Sequence, residues 1–65
     1  MARYRCYFLG VNGKILAAED IEASSNADAL YRARQSFSQW PMFPAFELWQ
    51  GEQRIHKENR NRPAA

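Results

Sequence analysis

The sequence predicts an α+β fold in which one helix lies across one face of a four-stranded antiparallel sheet of order 2-1-3-4, a ββαβ(β) arrangement. Three observations predict it. Two stretches of alternating apolar and polar residues flank Asn12-Gly13, the strongest short-range hairpin signal because both residues tolerate positive φ. Ser24-Ser25-Asn26-Ala27-Asp28 then opens a segment with apolar residues at spacings of three and four, the mark of a capped amphipathic helix. Two further short alternating stretches flank Gly51-Glu52.

In the first hairpin, residues 3–9 pair with residues 14–22. If Asn12 and Gly13 alone form the loop, Leu9 meets Leu16, Tyr4 meets Ile21, Arg5 meets Asp20 and Arg3 meets Glu22. A three-residue loop bulged at Gly13 shifts the partners by one and sets Tyr4 opposite Asp20 and Arg3 opposite Ile21, which wastes both charge pairs. The two-residue loop is therefore the preferred register.

The helix is expected over about residues 26–40, with Ser25 as N-cap and Asp28 in the capping-box position. Leu30, Ala33, Phe37 and Trp40 form its apolar stripe, Asp28, Arg32, Gln35, Ser36 and Gln39 face water, and Pro41 stops it. The connection Trp40-Pro41-Met42-Phe43-Pro44 is apolar for a loop, so it either folds back over the core or meets a partner. Residues 45–50 and 53–57 make the second hairpin around a two-residue Gly51-Glu52 turn, with Leu48 facing Ile55 and Trp49 facing Arg54. A helix crossing between the second and third strands places the third beside the first.

Period-two alternation sorts the side chains by face. Tyr4, Cys6, Phe8, Ile15, Ala17, Ile21, Phe46, Leu48 and Ile55 go under the helix. Glu19 falls on that face too, at its rim or through a local register slip. The opposite face collects Arg3, Arg5, Tyr7, Leu9, Leu16, Ala18, Asp20, Glu22, Glu47, Trp49, Arg54 and His56, and one helix leaves it uncovered. Tyr7, Leu9, Leu16 and Trp49 would form an apolar strip bordered by Arg3, Arg5 and Arg54, of a kind that monomers rarely leave bare.

Sixty-five residues make one domain, here 1–57, followed by a flexible basic tail, 58–65, with Lys57, Arg60 and Arg62 around it. A chain this short buries only about 60% of its unfolded surface. Small domains offset that with disulfides, a metal or oligomerisation. One cysteine excludes an internal disulfide, and one His with one Cys cannot make a structural zinc site. Oligomerisation is the remedy left. With 46% hydrophobic residues the chain is too apolar for disorder. It has no uninterrupted apolar stretch long enough for a signal peptide or membrane helix, so a cytoplasmic setting without a membrane partner is expected.

The catalytic inventory is poor. Cys6 sits on the core face, where a small buried hydrophobe is the commoner role. His56 pairs with Glu47 across the second hairpin, as a surface histidine would. Glu19 and Asp20 point to opposite faces and cannot act as an acid/base dyad, Ser24 and Ser25 are explained by capping, and Gly10, Gly13 and Gly51 form no phosphate loop. No catalytic, cofactor-binding or metal-binding residue and no small-molecule substrate is expected. The open face instead suggests a homodimer or protein partner that contacts Tyr7, Leu9, Leu16, Trp49, Arg3, Arg5 and Arg54. The alternative use of the same residues is a stacking platform for single-stranded nucleic acid, which a net charge of only +2 disfavours.

Arg3-Tyr4, Tyr7-Phe8-Leu9, Asn12-Gly13, Glu19-Asp20-Ile21 and Glu47-x-Trp49-Gln50-Gly51 resemble a family of small proteins of unknown function from rhizobia and related soil bacteria. The resemblance spans about residues 2 to 57. This chain departs from the pattern at Asn12, where Asp is commoner, and in its Met/Phe/Pro-rich connection at 41–44. The resemblance implies the hairpin, helix and strand order and a bacterial cytosolic setting, and it implies no activity or site residues.

Overall fold

The computed structural model describes residues 1–59. Strands β1 (Ala2–Leu9) and β2 (Ile15–Ala23), helix α1 (Asn26–Gln39), and strands β3 (Ala45–Gln50) and β4 (Gln53–Asn59) follow in that order. The strands form one antiparallel sheet of order β2-β1-β3-β4, with α1 on one face.

The first turn reconciles the two registers weighed from sequence. A two-residue loop of the favoured mirror-image type needs positive φ at both Asn12 and Gly13. Only Gly13 has it, at +82°. Gly10 N–H donates to Lys14 O at 2.8 Å and Gly13 N–H to Gly10 O at 3.0 Å, so Val11, Asn12 and Gly13 form a three-residue loop. The Asn12 side chain closes it by accepting from Lys14 N–H at 3.2 Å. Leu9 consequently pairs with Ile15 and not with Leu16, which bulges out; from Phe8↔Ala17 onward the partners are Tyr4↔Ile21, Arg5↔Asp20 and Arg3↔Glu22. Two one-residue irregularities cancel, leaving Tyr4, Cys6, Phe8 and Ile21 together on the buried face.

The second hairpin turns at Gly51, with φ +60°, and pairs Gln50↔Gln53 and Trp49↔Arg54 as expected. Beyond that Ile55 bulges, so Leu48 faces His56 and not Ile55. The bulge inverts the phase of the rest of β4. His56 and Glu58 move to the helix side, Lys57 moves to the open face, and Ile55 still packs against the core. β4 also continues two residues past the boundary drawn at 57, with Phe46↔Glu58 and Ala45↔Asn59 as its last pairs. Residues 60–65, the remainder of the basic tail, lie outside the described residues.

Ser25 caps α1 by accepting from Asp28 N–H at 3.1 Å. The Asp28 carboxylate reaches back to Ser24, whose backbone N–H donates to it at 3.1 Å, one residue earlier than a standard capping box. Ala29, Ala33 and Phe37 form the buried stripe. Trp40 does not complete it: the helix ends at Gln39, and Trp40, as C-cap, is 47% exposed. The following Pro41 disfavours helical backbone at residue 40, which sits at φ −121°, ψ 70°.

Phe46, Leu48 and Cys6 are fully buried at the centre of the core. Phe37 meets Phe46 with ring centroids 4.7 Å apart, and Phe43 folds back from the connection to stack on Phe8 at 5.3 Å. Met42 in the same connection is 63% exposed. The Tyr4 hydroxyl donates to the Asn26 side chain at 2.7 Å, tying the sheet to the first turn of the helix. Ile15, expected under the helix, is 58% exposed, because the bulge at Leu16 sets it on the face of Leu9. Glu19 lies on the core face opposite Cys6 and is exposed at the rim. Among the described residues no helix is long and apolar enough to cross a membrane.

Candidate functional site: the uncovered face of the sheet

Pairing across all four strands places Asp20, Arg5, Trp49 and Arg54 on one rung of the open face, and Ala18, Tyr7, Glu47 and Lys57 on the next. Arg3 and Glu22 pair beyond the first rung. At the centre, Tyr7 and Trp49 are half-buried and meet edge to face, with centroids 6.5 Å apart and planes at 79°, the arrangement that suits ring quadrupoles. Two shallow depressions flank them. One, of about 390 Å³, is lined by Tyr7, Ile15, Glu47, Trp49, Gly51 and Glu52. The other, of about 340 Å³, lies beside Arg3, Arg5, Tyr7, Asp20 and Gly51.

Of the residues expected to form the contact surface, Tyr7, Trp49, Arg3, Arg5 and Arg54 come together here. Leu9 is on this face by its pairing with Ala45 but is only 4% exposed, at the end of the sheet where Val11, Pro44, Ala45 and Lys57 line a depression with it. The chain itself covers Leu9, so it is not part of the exposed strip. Leu16 is 60% exposed but displaced by the bulge, its Cδ1 lying 2.9 Å from where a Cβ on Gly10 would stand. Ile15 takes its place beside Tyr7 and Trp49. Lys57 takes the place assigned to His56. Neither exchange has a local signal in the sequence, since each depends on where a bulge falls.

Each of the three arginines has an acidic partner in its own chain. Arg5 Nη2 is 3.0 Å from Asp20 Oδ1 and Arg3 Nη2 is 3.8 Å from Glu22 Oε2. Glu47 is the hub of the other half: it accepts from Trp49 Nε1 at 2.9 Å and from Arg54 Nη1 at 3.4 Å, and Lys57 Nζ lies 4.0 Å away. The charges alternate by strand across the face. β2 presents Asp20 and Glu22, β1 presents Arg3 and Arg5, β3 presents Glu47, and β4 presents Arg54 and Lys57.

Cys6 and His56 lie on the helix side of the sheet. Burial pushes the Cys6 thiol up to about 12, with Glu19 adding to the shift, so it stays protonated and is a poor nucleophile. His56 does not pair with Glu47; its Nε2 is 3.0 Å from Glu58 Oε1, which also accepts from Arg34 Nε at 2.9 Å. Burial raises the Glu58 carboxyl, but the hydrogen bonds from His56 and Arg34 outweigh it and hold the group below its usual range. This cluster fastens β4 to α1 on the helix side. Among the described residues no group of three or more His, Cys, Asp or Glu side chains is placed to hold a metal ion.

Compared with models of protein families, with curated proteins and with solved structures, the chain matches none.

Proposed function

We propose that this chain is a non-enzymatic interaction module that works through the uncovered face of its sheet, with a second copy of itself as the partner. The observation that carries the reading is the half-buried Tyr7–Trp49 pair with exposed Ile15 beside it, on a face that no element among the described residues covers. Stacking two such faces buries that strip on both sides and enlarges a core that a chain of 65 residues leaves thin. Self-recognition also suits a face whose acids and bases occur in near balance. Use of the aromatic pair as a nucleic-acid platform is the weaker reading, because Arg3, Arg5 and Arg54 are each held by an acid of the same chain and phosphates would have to displace those acids.

Light scattering at tens of micromolar tests the reading. A mass twice that of the chain is expected, and Trp49→Glu should return it to the monomer while Trp49→Phe leaves it unchanged. A wild-type chain that stays monomeric would overturn self-association. Titration with single-stranded RNA at low salt separates the weaker reading: quenching of Trp49 fluorescence that fades as salt rises would support it.

A further inference from the structure

We infer that the two copies stack with their twofold axis parallel to the strands, between β1 and β3, so that β4 of each copy lies over β2 of the other. The inference rests on the self-association just proposed and specifies its geometry. It comes from the alternation of charge across the open face, acidic on β2, basic on β1, acidic on β3 and basic on β4.

Two sheets that stack face to face in the aligned manner keep their strands within about 30° of a common direction, which leaves two settings for the axis. An axis perpendicular to the strands preserves strand order, so each strand lies over its own counterpart. The acidic strand β2 would then lie over β2 and the basic strand β4 over β4, strands of like sign over one another. An axis parallel to the strands reverses the order. β2 then meets β4 and β1 meets β3, so every strand faces one of opposite sign.

A rotation about that axis leaves height along the strands unchanged, and side chains therefore meet within their own rungs. Asp20 lies over Arg54 of the second copy. Arg5 lies over the ring of Trp49 of the second copy, the geometry of a cation–π contact, and Tyr7 over Glu47. Each acid keeps the base it already holds, Arg5 on Asp20 at 3.0 Å and Arg54 on Glu47 at 3.4 Å, and Asp20 gains a second from above. The central aromatic pair lies close to the axis and is buried against Arg5 and Glu47 of the second copy.

The test is a charge exchange read by analytical ultracentrifugation. Asp20→Arg alone and Arg54→Glu alone each set like charges opposite one another at two symmetric places. Each should raise the dimer dissociation constant at least about tenfold, given two surface contacts turned from attraction to repulsion. An equimolar mixture of the two variants should recover wild-type affinity as a heterodimer, because the introduced base faces the introduced acid and the native Arg54 faces the native Asp20. If reversal unfolds either chain, Asp20→Asn and Arg54→Gln should show the same weakening to a smaller degree. Single variants that self-associate as tightly as wild type, or a mixture that fails to recover, would overturn this axis. Neither result touches the reading it rests on, which falls instead if wild type is monomeric or if Trp49→Glu leaves the dimer intact.

Discussion

Gly13 and Gly10 sit three residues apart in one turn and respond to opposite constraints. Gly13 holds φ +82° with nothing near the position of a Cβ, so its cost to any other residue is backbone strain alone. Gly13→Ala should destabilise the chain by about 1 kcal/mol, measured by urea denaturation. At Gly10 an added Cβ meets the far end of the Leu16 side chain, which is bulged and exposed and can swing away, so Gly10→Ala should cost clearly less. Cys6 makes a second residue-level prediction. With its thiol fully buried and pushed up to about 12, the native protein should resist alkylation at mildly alkaline pH and react at once in urea. Rapid labelling of the folded chain would contradict the burial. Residue chemistry of this kind was legible beforehand: Cys6 as a core hydrophobe and Ser25 as a cap both follow from alternation and local motif.

Elements are joined here by few, identifiable ties. Ser25 caps α1, so Ser25→Ala should cost about 1 kcal/mol, whereas Ser24→Ala should cost little because its backbone N–H is the donor to Asp28 that remains. At the other end of the sheet, Glu58 links β4 to α1 through His56 and Arg34. Its carboxyl is lower in the folded chain than its ordinary value of 4.5. The unfolded chain therefore binds its proton first as pH falls, and the contribution of the link is full above that value and lost as pH drops through the folded one. Glu58→Gln should flatten this part of the acid dependence of the urea midpoint, and an unchanged profile would show that the link carries no stability. This cluster was not legible in the sequence. It exists because Ile55 bulges and turns His56 and Glu58 toward the helix, and a bulge is chosen by what β3 and the core demand of β4, which no window of neighbouring residues records.

For the whole molecule, the expected consequence of self-association is a melting temperature that rises with protein concentration, because dissociation accompanies unfolding. The rise should vanish in Trp49→Glu. A melting temperature independent of concentration in the wild type would leave the small core to hold the fold by itself. The exposed strip differs in part from the one read off alternation: Tyr7 and Trp49 stand as expected, Leu9 is covered by the sheet end, and Ile15 replaces Leu16. The three-residue loop explains the exchange. It needs positive φ at Gly13 only, sets Leu9 against Ile15, and expels Leu16 so that the paired charges and the buried face fall back into step.

By itself the sequence determined the elements, their order in the sheet and the face left bare, because these follow from periodicity, caps and turn residues that act over a few positions. It also indicated the cross-strand pairs Arg3 with Glu22 and Arg5 with Asp20, since the register shifted by one would waste both charge pairs. Only the tertiary structure decided the two bulges, and with them which of Ile15, Leu16, His56 and Lys57 reaches the open face. The physical reason is that a bulge moves one residue at little local cost, while its benefit is collected across the sheet, in the packing of Phe8, Phe46 and Leu48 and in the alternating charges that those registers bring into line.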